Sequence, residues 1–464
     1  MAIKVKFLGG ARTVTGSSHL VSGPKSEILL DAGLFQGHRD EFYKVNTTFS
    51  YNPRTVDALI LSHAHIDHCG NIPNLIKNGL RCKIYTTSAT KDIARLMLED
   101  SGKIQEEDTA YVNKINKRMG LPLRRPLYTK KEAAKATKKF RCLSYGQRFC
   151  VARDIFATLL DAGHILGSSI ITLELKDGRN AIRLGYAVDL GRKGLPLLND
   201  PVVPKGMDYL ILESTYGNRV HAPIEEAKEK LKDAINRTVE RKGKILIPSF
   251  TLERTQEVIY FLNELLKEQA IPGIPIYVDS PLATDITELF TFHVSYLDEE
   301  TRQEIRQGRS PFELLNLKFI RDQKVSKGLN TDKRPMIIIA GSGMCESGRI
   351  LHHLSNNIED TRNTILVVGY MAQDTLGKRI VERVPLVRIF GVEYELNAEV
   401  VVINAFSAHA DKNELSEFVT QCLPLKGVFL VHGDIDQSRA LCESLVAKGI
   451  NARMPPKNEE VLLN

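Results

Sequence analysis

Ala58-Leu59-Ile60-Leu61-Ser62-His63-Ala64-His65-Ile66-Asp67-His68-Cys69-Gly70 is the stretch from which the rest of the chain can be read. Its first four residues form an apolar run that reads as a buried strand. Three histidines and an aspartate follow within six residues. Imidazole and carboxylate suit Zn²⁺ or a similar borderline cation. His63 and His65 are two apart, so an extended or tightly turning segment aims both at one ion. Asp67 and His68 lie beyond the turn and can face a second. A polar loop rich in histidine by chance is the competing reading. Histidine is scarce, 12 in 464 residues, which argues against it.

The bulk properties bound the answer. A chain of 464 residues exceeds one ordinary core and predicts two domains. Apolar content of 43% and charged content of 26% are those of a soluble globular protein. A net charge of +7 permits a polyanionic partner without demanding one. The seven cysteines are odd in number and include no Cys-x-x-Cys pair, which predicts reduced thiols and a cytoplasmic location. The first ten residues alternate like a strand and lack a long apolar core. No stretch approaches the roughly 18 apolar residues of a membrane span.

Further polar residues stand where apolar runs end. Residues 3–8 and 26–31 read as strands, the second closing on Asp31-Ala32-Gly33. His19 reads as a packed loop histidine. Short helices are expected over 71–79 and 88–102, with a strand at 83–86 between them. Residues 114–141 hold eleven Lys/Arg and one acid, Glu132, and read equally as a phosphate-contacting face or a solvated surface. His164 sits between strands at 155–160 and 170–175, and Asp189 follows a strand at 181–184. From 209 to 395 apolar strands alternate with helices, the pattern of a parallel sheet covered on both faces. Strands at 399–404 and 427–431 then lead into His409 and His432.

Loops at one end of a sheet converge, so these residues can share a site. Two cations need about seven ligands and usually one bridging carboxylate. His63, His65 and His164 would hold the first, and Asp67, His68 and His432 the second. Asp189 is the natural bridge. Asp31 would stand behind the ligands and fix an imidazole tautomer.

His63-Ala64-His65-Ile66-Asp67-His68 with Asp31, His164 and Asp189 resembles the motif set of the metallo-β-lactamase superfamily. Glu213, His409 and His432 are similar to the three further motifs of its β-CASP branch of nucleic-acid hydrolases. Four segments resemble that branch's inserted domain: Pro248-Ser249-Phe250-Thr251-Leu252-Glu253-Arg254, Asp279-Ser280-Pro281-Leu282-Ala283, Gly341-Ser342-Gly343-Met344-Cys345 and Gly369-Tyr370-Met371-Ala372. The resemblance covers nearly the whole chain. It implies an α/β protein: a metallo-β-lactamase αββα sandwich over 1–208 and 396–464 with an inserted α/β β-CASP cap over 209–395. Within the branch it is similar to compact prokaryotic ribonucleases related to the mRNA 3′-end processing endonuclease. The resemblance to ribonuclease J, with its additional C-terminal domain, is weaker, and no N-terminal KH extension is expected. His409 stands where Artemis-like DNA-processing members usually have valine. Gly369 to Thr375 departs from the usual Gly-Tyr-Gln-Ala-Glu-Gly-Thr form.

The implied activity is that of a zinc-dependent ribonuclease with two Zn²⁺ per chain. Its expected partner is single-stranded RNA in a cleft between the domains, cut internally, 5′→3′ from an end, or both. A homodimer is the working expectation for assembly. A hydroxide bridging two cations would attack phosphorus in line. His409 would be general acid or phosphate contact, oriented by Glu213. Ser249, Thr251 and Arg254 at a helix start, with Ser342 and Gly343, would contact RNA phosphates. Two other functions compete: a thioester or lactam hydrolase on the same fold, and an inactive RNA-binding scaffold. The inserted domain and His409 argue against the first, and the full ligand set against the second.

Overall fold

The structure is a computed structural model that describes residues 2–37, 39–369 and 371–464. Tyr370, within the motif at 369–372, lies outside the described residues. The chain divides into two compact units. One comprises Met1–Gly194, Asp200–Val220 and His409–Asn464, the other Leu195–Asn199 and His221–Ala408.

The first unit is built on two seven-stranded sheets. One runs in the order Glu460–Leu462, Lys4–Gly9, Ser18–Ser22, Glu27–Leu30, Ala58–Ile60, Lys83–Thr86 and Phe140–Cys142. The other runs Ala452–Arg453, Gly427–Val431, Tyr209–Glu213, Asn180–Ala187, Ser169–Asp177, Ile155–Asp161 and Phe149–Ala152. Phe7, Val21, Ile28, Leu30 and Ile60 from the first sheet share one core with Ile155, Ile171, Tyr186, Ile211 and Phe429 from the second. The opposite faces are also apolar. Leu210, Leu212, Val428 and Leu430 pack under helices Lys412–Cys422 and Ile435–Ala447 through Leu415, Phe418, Leu441 and Leu445. Leu29, Leu59 and Ile84 are likewise buried on the outer side of the first sheet. Strands buried on both faces need helices outside, and helix–sheet–sheet–helix layering is the result.

The helix expected to close at Gly102 instead runs Ser88–Met119, from a Thr87 cap to Gly120 in the left-handed conformation. Gly102 does not terminate it. A Cβ there would lie 2.7 Å from the Lys130 amide nitrogen, so this glycine admits the 129–130 segment against the helix. Thr129 and Glu132 form the expected capping box of helix Lys130–Ala136.

The second unit carries an all-parallel six-stranded sheet, ordered Leu317–Phe319, Ile276–Val278, Ile337–Ala340, Ile245–Pro248, Thr364–Val367 and Glu399–Val402. Both expected domain boundaries move. Tyr209–Glu213, assigned from sequence to the cap, is a central strand of the first unit between Asn180–Ala187 and Gly427–Val431. Glu399–Val402, assigned to the first domain, is the edge strand of the second unit's sheet. An apolar strand does not record which parallel sheet receives it, because only distant pairing decides that.

The seven cysteines are unpaired. Among the described residues no helix is long and apolar enough to cross a membrane.

Candidate metal centre

Every candidate ligand lies in the first unit, at or just past a strand's C-terminal end. Register explains the convergence. Leu30 pairs with Ile60, so Asp31 meets the start of the histidine loop. Ser62 donates to Asp31 through its amide and hydroxyl, both at 2.7 Å. Glu213 pairs with Val431, and Ala187 with Leu212, which brings Asp189, Glu213 and His432 side by side. Two glycines permit the close packing. A Cβ at Gly33 would fall 1.5 Å from the Asp67 carbonyl oxygen, and one at Gly191 would fall 2.0 Å from that of Gly163. Asp31, Asp189 and His432 hold positive φ of 56°, 60° and 49°. Non-glycine residues adopt this conformation where surrounding structure enforces it, often at functional sites.

Side-chain atoms converge in three groups: His63, His65, His164 and Asp189; Asp67, His68 and His432; and Asp189, Glu213 and His432. In the first, Nε2 of His63 is 3.1 Å from Nδ1 of His65, which is 3.3 Å from Nε2 of His164. Asp189 Oδ2 lies 3.2 Å from His63, 3.3 Å from His164 and 3.8 Å from His65. In the second, His68 Nε2 and His432 Nε2 are 3.1 Å apart, and Asp67 Oδ2 is 3.2 Å from His432 and 3.8 Å from His68. The other oxygen of Asp189, Oδ1, stands 3.4 Å from His68. Ligands tetrahedral about zinc, with bonds of about 2.0–2.1 Å, lie about 3.3 Å apart. The donor set therefore fits such a cation in type and spacing.

Electrostatics point the same way. Burial drives His63 and His164 down to about 3, so both are neutral with lone pairs to give. Burial opposes charge on His68 as well, but the Asp189 and Asp67 carboxylates outweigh it and raise its pKa well above 6.5. A cation entering there displaces a proton. Asp189 is buried, yet the imidazoles of His432, His68, His409 and His63 hold it well below the usual carboxylate range.

Behind the candidate ligands stand residues that fix their orientation. Asp31 Oδ2 is 2.8 Å from Nδ1 of His68 and accepts from the Tyr186 hydroxyl at 2.8 Å. The Ser62 hydroxyl lies 2.9 Å from Nδ1 of His63, and that of Thr215 lies 3.3 Å from Nδ1 of His432. Neither Tyr186, a mid-strand tyrosine, nor Thr215 is marked by any sequence signal. Ser62 was in view, inside the decisive stretch. Asp31→Asn keeps the left-handed turn, which asparagine tolerates, but removes the charge behind His68. Its expected effect is a 10–100-fold loss of metal affinity, measured by chelator competition. Equal resistance to stripping in variant and wild type would refute this role.

Glu213 and His409 form a second pair beside the cluster. Nδ1 of His409 lies 3.1 Å from Oε2 and 3.2 Å from Oε1 of Glu213, and the Leu190 amide also donates to Oε1. Burial disfavours charge on His409, but the Glu213 and Asp189 carboxylates win and raise it to about 9. His19 is buried at the start of a strand, edge-on to Phe7 and Tyr186, consistent with packing.

Apart from His409, the phosphate-contact candidates Ser249, Thr251, Arg254, Ser342 and Gly343 lie in the second unit. Pro248 pairs with Ala340, so Ser249 and Gly341 are neighbours at one end of its sheet. Gly343 must be glycine for Phe250 to pack, because a Cβ would sit 2.7 Å from that ring. The Ser342 hydroxyl accepts from the Glu346 and Ser347 amides at 3.1 and 3.3 Å. Arg254 is already engaged by Glu257 at 2.6 Å, and Thr251 gives its carbonyl to Gln256 at 3.3 Å.

Known proteins match along the chain. Residues 11–85 match the metallo-beta-lactamase superfamily, 255–380 the Beta-Casp domain, and 393–455 the Zn-dependent metallo-hydrolase RNA specificity domain. A Thermus thermophilus protein named Ribonuclease TTHA0252 is 36% identical over 96% of this chain and 97% of its own. The transcription termination factor FttA of Pyrococcus horikoshii is 32% identical over 99% of this chain and 71% of its own. That of Methanosarcina mazei is 32% identical over 96% and 69%. A crystal structure of an Enterococcus faecalis protein of unknown function is 14% identical over both full chains, with a TM-score of 0.58, a likeness of fold alone. The chain belongs to the β-CASP branch of the metallo-β-lactamase superfamily and is a metal-dependent hydrolase.

Proposed function

We propose that this protein is a zinc-dependent ribonuclease that hydrolyses phosphodiester bonds of single-stranded RNA and holds two zinc ions per chain. The observation that carries the two-ion reading is the split of Asp189, with Oδ2 facing His63, His65 and His164 and Oδ1 facing His68. The RNA reading is supported by the RNA specificity domain matched at 393–455 and by the relative named a ribonuclease.

His63, His65 and His164 would hold one ion, Asp67, His68 and His432 the other, with Asp189 between them. Bound zinc supplies an activated water and neutralises charge on the phosphodiester. The chain supplies orientation and a proton. Asp31 and Ser62 fix the tautomers of His68 and His63. Glu213 engages Nδ1 of His409, so Nε2 is the nitrogen that addresses substrate. Protonated, it donates to the leaving oxygen as the P–O bond breaks.

The test uses RNA labelled at either end and bearing a 5′ monophosphate, triphosphate or hydroxyl, with and without chelator. Chelator should abolish cleavage and added zinc restore it. Mononucleotides released from the 5′ label identify an exonuclease, and internal products an endonuclease. Unchanged cleavage under chelation would overturn the metal dependence. Metal-loaded protein that binds RNA without cutting it would be the scaffold.

A further inference from the structure

The basic run at 114–141 is not used by the chemistry above, and its first part is a built surface of the first unit. Helix Ser88–Met119 ends in it, and the following loop folds back on the helix. Asn113 Oδ1 accepts from the Arg124 amide at 2.8 Å, and its Nδ2 donates to the Arg124 carbonyl at 2.9 Å. Asn116 Nδ2 donates to the Pro122 carbonyl at 2.8 Å. The tip so formed carries five Lys/Arg and no acid between 114 and 125. Lys114, Lys117, Arg118 and Arg125 are exposed and form no ion pair with another described residue. Interleaved with them are Tyr111, Met119 and Leu123, each over 60% exposed. A solvated helix end alternates charge and hides its large apolar groups; this one does neither.

A groove of about 380 Å³ is lined by Ile66 of the histidine loop and by the long helix as far as Val112, two residues before that tip. Ile66, between His65 and Asp67, lines one end. Met97, Ile104 and Val112 of the long helix line its length, and Phe42 and Tyr43 face them. Met97 to Val112 spans about 22 Å at 1.5 Å per residue. The Arg124 guanidinium lies 5.5 Å from the Tyr43 ring, so tip and groove are continuous. Asp100 and Asp108 also line the groove and disfavour phosphate within it. The chemistry sorts a nucleic-acid strand, with apolar and aromatic walls for bases and the basic tip for backbone.

We propose that this groove and tip form an RNA track beyond the metal cluster. It holds the strand on one side of the scissile phosphate, with bases against Ile104, Val112 and Tyr43 and phosphates on Lys114, Lys117, Arg118 and Arg125. The inference rests on the ribonuclease reading and adds to it a means of selecting long substrates over short ones.

The test compares wild type with the triple variant Lys117→Ala/Arg118→Ala/Arg125→Ala, all exposed positions, on a 20-nucleotide unstructured RNA and on the dinucleotide UpU, which is too short to reach the tip. For the long RNA, KM should rise about tenfold with kcat unchanged. The slope of log KM against log salt should become shallower by about 2, from three lost contacts at about 0.7 each. Turnover of UpU should stay within twofold. Ile104→Ser should raise KM for the long RNA alone. Equal KM and salt slope in variant and wild type, with RNA still cut, would overturn the track and leave the ribonuclease reading standing. A change of oligomeric state without a change in KM would also overturn it, marking a protein interface. Wild type that cuts no RNA would sink both.

Discussion

Asp189→Asn should lower RNA hydrolysis by about 10³-fold or more, equivalent to about 4 kcal/mol of transition-state stabilisation, and should reduce bound zinc. The argument starts from the backbone. Asp189 holds φ of 60°, where alanine is strained and asparagine is tolerated. Asn therefore preserves the turn and removes only the charge. That charge lies within 3.4 Å of His63, His68, His164 and His432. Its loss takes one anionic ligand from each proposed ion at once, which no other single substitution does. It also leaves His68 without its principal counter-charge, so metal-free protein should lose stability as well. Zinc content by elemental analysis separates the two effects. A variant that folds, keeps two zinc ions and cuts RNA at the wild-type rate would remove Asp189 from the centre.

How much of this was legible beforehand differs between the site and the frame around it. The candidate cluster was readable because its members stand at or beyond strand ends, and short apolar runs leading into histidine or aspartate are visible without any knowledge of pairing. The domain limits were not. Leu210-Ile211-Leu212 and Val400-Val401-Val402 look alike in sequence, yet one is central in an inner sheet and the other sits at the edge of a parallel sheet in the second unit. Pairing decides between them, with Asn180–Ala187 and Gly427–Val431 for the first and with Thr364–Val367 for the second, and none of it is written in the strands themselves. Gly102 misled for a related reason. Its role is to admit the segment at 129–130, and a glycine needed for close approach looks the same in sequence as one that ends a helix. Tyr186 escaped because its single polar atom reaches Asp31 across the inter-sheet core.

Glu213→Gln should move the alkaline limb of the pH–rate profile to lower pH. In the wild type, His409 is raised to about 9 chiefly because Glu213 and Asp189 outweigh its burial. Replacing Glu213 leaves burial opposed by Asp189 and, more weakly, Asp67, and the imidazole falls toward its ordinary 6.5. If His409 protonates the leaving oxygen, the variant should match wild type within a few-fold near pH 6 and fall about 30-fold behind near pH 8, where only a small fraction stays protonated. Cations bound at Asp189 and His164 would draw the limb lower in both proteins without reversing the difference. Stability should follow the same proton. A folded pKa above the unfolded one makes protonation stabilising, fully below about 6.5 and lost as pH rises through about 9. Wild-type Tm should therefore decline across that window, and the Glu213→Gln curve should be flatter. His409→Ala should lower kcat on RNA by about 10²–10⁴-fold. It should spare a nitrophenyl phosphodiester, whose leaving group departs without a proton. Equal losses on both substrates would make His409 a phosphate contact instead of a proton donor.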